Sequence, residues 1–273
     1  MLDSGGSSFT AELRLLLESA FHAPGDLGIA EQRAQLVMRQ QGMVGNSPAM
    51  LAAFDRAMRF SSVSDLPVLI TGESGTGKEL LASAIHRMDP KRSQGPFVPV
   101  NCAAINPGLA ESDFFGHRRG SFTGAERDRK GLIRSAEGGV LFLDEIGELE
   151  PRLQAQLLRV LQENCVLSLG EEFEAPVNVR FIAATNCDLE RMVAEGKFRV
   201  DLFHRLCVLL VEIPPLRERS CDLPPLVQHF VRKHDPSKTG SPRKISLDFV
   251  AALRCWTFLE MRANWKTSCA KRF

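Results

Sequence analysis

The residues best equipped for chemistry form a glycine-punctuated run: Gly72, Glu73, Ser74, Gly75, Thr76, Gly77, Lys78 and Glu79. An apolar stretch at 67–71 enters this run, and a helix-like stretch leaves it. Glycines let the backbone turn tightly, so several N–H groups can converge on an anion beside a helix N-terminus. Lys78 would then add positive charge over the β- and γ-phosphates of a nucleotide. Glu79 stands where the general pattern has a Ser or Thr hydroxyl for magnesium. By itself the run would fit an ordinary glycine-rich turn. The strand before it and the helix after it favour a phosphate cradle.

A second constellation closes the stretch 138–145, where four apolar residues lead into Asp144 and Glu145. A buried strand ending in adjacent carboxylates can assign them separate tasks, because successive side chains on a strand face opposite ways. Asp144 would hold magnesium, directly or through water, and Glu145 would polarise an attacking water.

These residues need a scaffold, and the hydrophobic pattern supplies one. Apolar runs at 67–71, 97–100, 140–143, 180–184 and 209–213 are expected strands, separated by helical stretches such as 79–87 and 151–163. Pro151 sits where the first turn of a helix tolerates proline. Continuous apolar strands alternating with helices predict an α/β fold, a parallel sheet covered on both faces. Ahead of it, residues 1–41 form an expected helical lead-in. Leu13, Leu16, Leu17 and Phe21 recur at helical spacing, Gly25 and Gly28 interrupt, and a second helix covers 32–40. Pro214 and Pro215, followed by Arg217, Glu218 and Arg219, mark an expected boundary before a mostly helical segment.

Composition narrows the field further. Hydrophobic residues make up 44% and charged residues 25% of the 273, an ordinary balance for a globular chain. Lys and Arg total 34 against 33 Asp and Glu, so no basic excess advertises a nucleic-acid partner. The start of the chain lacks a basic n-region and its apolar run is broken by Arg14 and Glu18, unlike a signal peptide or membrane span. Seven cysteines at scattered spacing, with no C-x-x-C pair, fit reduced thiols in a cytoplasm.

Between the two constellations lies Gly120, Ser121, Phe122, Thr123, Gly124 and Ala125. This hexapeptide resembles the Gly-Ala-Phe-Thr-Gly-Ala loop of bacterial enhancer-binding proteins, the AAA+ activators of sigma-54 RNA polymerase. Phe122 would be an apolar anchor between glycines that let it swing. The family also writes its phosphate loop with a glutamate after the lysine, as Glu79 stands here. Further similarity runs from Val44 to Arg219. The resemblance implies an AAA+ P-loop ATPase core over 42–219 that uses ATP and Mg2+ to remodel sigma-54 RNA polymerase holoenzyme. It implies a homo-oligomeric ring, usually a hexamer. It further implies that Asn101 holds the catalytic glutamate, and that Thr185 and Asn186 sense the γ-phosphate. Arg199 and Arg205 would be arginine fingers given to a neighbouring subunit's ATP.

The ends depart from the family pattern. No receiver domain fits into 1–41. After the start of a helical lid at 220–258, residues 259–273 replace the family's Pro-Gly-Asn-x-Arg-Glu-Leu run. Plausible codons read one base earlier restore that run, so the tail is expected to be out of frame. The lid would then be incomplete and Arg262 would not be the lid arginine. With no helix-turn-helix, direct DNA binding is not expected. A second reading is a hydrolysis-deficient fragment that binds ATP and sigma-54 and interferes with intact rings.

Overall fold

A computed structural model describes residues 27–234, Thr123 excepted. The expected lead-in helix before residue 27, most of the lid start, the tail 259–273 and Thr123 lie outside the described residues.

The strands are β1 Val68–Thr71, β2 Phe97–Asn101, β3 Val140–Asp144, β4 Cys165–Val166, β5 Ala175–Pro176, β6 Arg180–Thr185 and β7 Leu209–Glu212. The helices are α1 Leu27–Gln40, α2 Pro48–Ser61, α3 Lys78–Met88, α4 Ala110–Phe115, α5 Leu132–Ser135, α6 Pro151–Glu163, α7 Leu189–Ala194, α8 Val200–Leu206 and α9 Leu223–His234. A parallel five-stranded sheet runs β2-β3-β6-β1-β7, and β4 pairs antiparallel with β5 as a separate hairpin.

Strand alternation divides the core in two. Leu69, Leu141, Leu143, Phe181 and Ala183 face one side, packed with Leu153, Leu157 and Leu161 of α6. Val68, Ile70, Val140, Phe142, Ile182 and Ala184 face the other, against Phe54 of α2 and Leu81 and Ile85 of α3. Both faces are apolar because helices cover both, as the unbroken apolar strands implied.

The helices begin and end where local chemistry permits. Ser47 caps α2 by accepting the Met50 N–H, and Pro48 occupies its first position. The α6 helix stops at Asn164, whose left-handed φ of 52° ends the turn. Gly28 does not break the chain as expected: α1 runs from Leu27, with Gly28 in its first turn. Burial of Ala34 and Met38 in the α2 core offsets the roughly 1 kcal/mol that a helical glycine costs.

The expected boundary at residues 219 and 220 also moves. It falls inside a 3-10 stretch, Leu216–Asp222, whose Arg219 and Asp222 are buried. Asp222 joins this stretch to the start of α2.

At the N-terminal edge of the sheet, Arg180 and Asp89 are both wholly buried, with Nη1 and Oδ2 2.6 Å apart. Arg180 also donates to the carbonyls of Phe60 and Leu66. This ion pair joins α3 to β6 and α2 beneath the sheet.

Candidate functional site

The C-terminal ends of β1, β6 and β3 lie side by side. Thr71 pairs with Thr185, and Leu143 with Ala183, so the segments that follow these strands emerge at one rim. Ligands of open parallel sheets collect there, outside the carboxyl ends of the strands.

The β1 loop turns through Gly72, Gly75 and Gly77 at φ 152°, 77° and 103°. The last two are left-handed values that a side chain would resist, and Gly77 then caps α3. A Cβ placed on Gly75 or Gly77 would meet nothing within 4 Å, so the loop is open on that side. Glu73 pairs with Arg217, and Thr76 Oγ1 donates to the Glu73 carbonyl. Lys78 is buried at 6% exposure, with Nζ donating to the Gly72 carbonyl at 3.0 Å and the Glu73 carbonyl at 3.3 Å. Glu79 begins the exposed side of α3.

Asp144 closes β3. Burial first, and then the charge of Glu145, push its carboxyl above its ordinary pKa, while Lys78 works against that shift. Glu145 is not on the strand, contrary to expectation: its φ is 52°, a left-handed conformation that costs a non-glycine residue about 1 kcal/mol or more. That turn separates the two carboxylates and swings Glu145 across the rim. Its Oε1 lies 3.6 Å from Lys78 Nζ, and its Oε2 accepts the Asn186 N–H at 3.2 Å.

Among the described residues, no group of three or more His, Cys, Asp or Glu could hold a metal ion. The donor set would suit Mg2+ held largely by phosphate oxygens, with the Asp144 carboxylate as an available hard oxygen donor. The open loop, the buried ammonium and the flanking carboxylates fit a magnesium–nucleotide pair.

The segment after α4 forms a second feature. His117 and Arg129 exchange both backbone hydrogen bonds, and Gly116 and Arg118 bond Leu169 in the connection between β4 and β5. Beyond this base the chain doubles back, with the Gly120 N–H donating to Ala125 O and the Ala125 N–H to Phe122 O. Gly120 and Gly124 take φ of 82° and 102°. Phe122 is half-buried, its ring edge-on to His117 with centroids 5.0 Å apart. Ser121 packs so closely on Gly170 that a Cβ there would come within 2.9 Å of its own. Arg118 bridges Asp128 and Glu171, and Arg134 also pairs with Glu171. The loop is thereby tied to the hairpin.

Residues 43–212 match the family described as Sigma-54 interaction domain. The chain belongs to that family. Its AAA+ P-loop core is the sheet and flanking helices described above, and structural likeness agrees. The crystal structure of NtrX from Brucella abortus in complex with ADP superposes with a TM-score of 0.72 at 37% identity, over 81% of this chain and 49% of that one. A Nif-specific regulatory protein of Herbaspirillum seropedicae is 49% identical over 211 residues, 75% of this chain and 39% of that protein. The transcriptional regulatory protein GlrR of Escherichia coli (strain K12) is 45% identical over 226 residues, 83% of this chain and 49% of that one. The chain therefore spans 39% to 49% of the length of these two curated relatives.

Within this sigma-54 interaction domain, the rim brings Lys78, Asp144, Glu145 and Asn186 together. Other expected site residues are placed differently. Asn101 does not hold Glu145: its Oδ1 accepts the Ala103 N–H, capping the short turn after β2. Lys78 and the Asn186 backbone engage the glutamate instead. Thr185 is wholly buried, and its Oγ1 accepts the Cys187 N–H. The Asn186 side chain is exposed at the same rim.

Arg199 pairs with Asp201 and is half exposed. Arg205 donates from Nε and Nη2 to the Leu161 carbonyl at the end of α6. Each arginine thus has a partner within its own chain.

Sequence reasoning missed the segment behind the loop. Arg219 reaches the Thr76 carbonyl at 3.0 Å, and Asp222 accepts from the Ser47 N–H and hydroxyl, both at 2.7 Å. The only signal was the family-like run from Pro215 to Arg219.

Proposed function

We propose that this chain is the ATP-hydrolysing unit of a bacterial, cytoplasmic sigma-54-dependent transcription activator. The observation that carries the reading is the joining of two features on one core. The Lys78–Glu145 rim suits a magnesium nucleotide, and the loop Gly120–Ala125 is tied to the β4–β5 hairpin of the same chain.

Gly72, Glu73, Ser74, Gly75, Thr76, Gly77, Lys78 and Glu79 form the phosphate cradle, with Lys78 moving from loop carbonyls to phosphate oxygens. Asp144 would hold Mg2+ together with the phosphates, and the ion would supply charge neutralisation for the transferring group. Glu145, its carboxylate set between Lys78 and the Asn186 N–H, would take the proton of the water that attacks the γ-phosphorus as the bond to the departing ADP breaks. Thr185 fixes the turn that presents Asn186. Arg199 and Arg205 exchange Asp201 and Leu161 O for a neighbouring subunit's nucleotide in a ring, expected to be a hexamer. Arginine suits this transfer because its charge persists and its planar fork fits phosphate. Phe122, with Gly120, Ser121, Thr123, Gly124 and Ala125, contacts sigma-54, and the cycle remodels the polymerase holoenzyme.

Turnover measured against protein concentration tests the reading. Magnesium-dependent ATP hydrolysis whose rate per chain rises with concentration is expected, because fingers act between subunits. Nucleotide binding without hydrolysis at any concentration would leave the binding-only alternative.

A further inference from the structure

The 3-10 stretch Leu216–Asp222 grips the molecule at three places around the phosphate loop. Arg217 pairs with Glu73 at 2.7 Å, and Arg219 donates to the Thr76 carbonyl at 3.0 Å. Asp222, wholly buried, accepts from Asn46 and Ser47 at the start of α2. The turn breaks its helical geometry at Arg219 (φ −127°, ψ 47°), and this side chain ends up 5% exposed.

Burying a guanidinium there is costly. Its Nη1 meets only the Met50 sulfur at 3.1 Å, and its Nε has no hydrogen-bond partner. An apolar side chain of similar length would fill the space without stranding a donor. Packing therefore does not account for arginine at this position. The charge of the buried Asp222 also favours the guanidinium, and the direct hydrogen bond of Arg219 to an oxygen is the one to the loop.

That bond has a geometric consequence. A trans peptide is planar, so its N–H points opposite its carbonyl. Pinning the Thr76 oxygen toward Arg219 fixes the Gly77 N–H on the opposite side of that peptide. Gly77 sits at φ 103° and glycine flips readily, so without the pin this donor is free to turn away.

We propose that Arg219 is a positioning residue for the nucleotide, holding the Thr76–Gly77 peptide with its N–H presented to phosphate. It also joins the loop to the segment entering α9. This rests on the reading that the loop binds a nucleoside triphosphate.

MgATP affinity, steady-state kinetics and the melting temperature of the nucleotide-free protein, measured for Arg219→Met, Arg219→Gln and Arg219→Lys, provide the test. Arg219→Met should weaken MgATP binding about tenfold or more. Its KM should rise while kcat is retained, with no fall in the nucleotide-free melting temperature. Arg219→Gln, too short to reach Thr76, should behave alike if the Met variant does not fold, and Arg219→Lys should recover most of the affinity. Binding within about twofold of wild type in a folded Met or Gln variant overturns the role. So does a lowered melting temperature with affinity unchanged. Wild-type protein that binds no MgATP would sink the nucleotide reading itself and the role of Arg219 with it.

Discussion

The Glu145 carboxylate lies 3.6 Å from the Lys78 ammonium, although the strands that deliver them, β3 and β1, are not neighbours. β6 runs between them, and its last turn donates the Asn186 N–H to the other oxygen of Glu145. The proposed phosphate-binding cation and the proposed water-activating base are thus held at one rim of the sheet. The left-handed turn at Glu145 makes the crossing possible.

The two partners should fail differently. Lys78→Ala removes the phosphate contact, so MgATP affinity should fall roughly ten- to a hundredfold. Glu145→Gln keeps shape but loses the base, so turnover should fall about 10²- to 10⁴-fold with MgATP affinity maintained or improved. Titration calorimetry and single-turnover phosphate release separate these effects. Equal loss of binding in both variants would contradict the division of roles.

The Asp89–Arg180 pair beneath the sheet should dominate acid stability. Burial alone would raise the Asp89 pKa, but the Ser64 hydroxyl, the Lys91 N–H and Arg180 outweigh it and hold the carboxyl below its ordinary value. A depressed folded pKa contributes stability that is present above the unfolded value of about 3.9 and lost as pH falls through the folded one. Asp89→Asn strands the buried Arg180 charge and should cost about 3–5 kcal/mol near neutral pH. Its urea midpoint should also decline less than that of wild type on acidification below about pH 4. Parallel pH profiles for the two proteins would show that Asp89 is not the titrating group.

Cys102, just past β2, should be inert. Burial, and then the Asp144 charge, push its thiol up to about 12, so little thiolate forms near neutrality. Cys221 is exposed, and alkylation at about pH 8 should label it well before Cys102. Peptide mass spectrometry gives the order. Rapid labelling of Cys102 in folded protein would mean that the end of β2 opens.

Much of this was legible in the sequence because it rests on local pattern. Each expected strand of the main sheet formed within a residue or two, and α6 spans the stretch expected at 151–163. Continuous apolar runs can sit only in a doubly covered sheet, and glycines before a lysine prescribe their own turn. The departures arise from contacts distant in sequence. Glu145 leaves the strand because Lys78 and Asn186 draw it across the rim. Asn101 caps its own turn, a nearer partner than the glutamate. Phe122 lies edge-on to His117, a contact that the hexapeptide alone does not announce. The short hairpin β4–β5 carries too few apolar residues to announce itself, and Arg219 reads as surface charge until Thr76 is seen beside it.

Nucleotide-dependent capture of sigma-54 by the immobilised chain, compared between wild type and Phe122→Ala, tests the central claim most directly. Wild type should capture sigma-54 in the presence of MgATP and not without nucleotide. Phe122→Ala should lose capture while binding MgATP with unchanged affinity. Wild-type protein that binds MgATP yet captures no sigma-54 in any nucleotide state, or a Phe122 variant that loses both together, would contradict it.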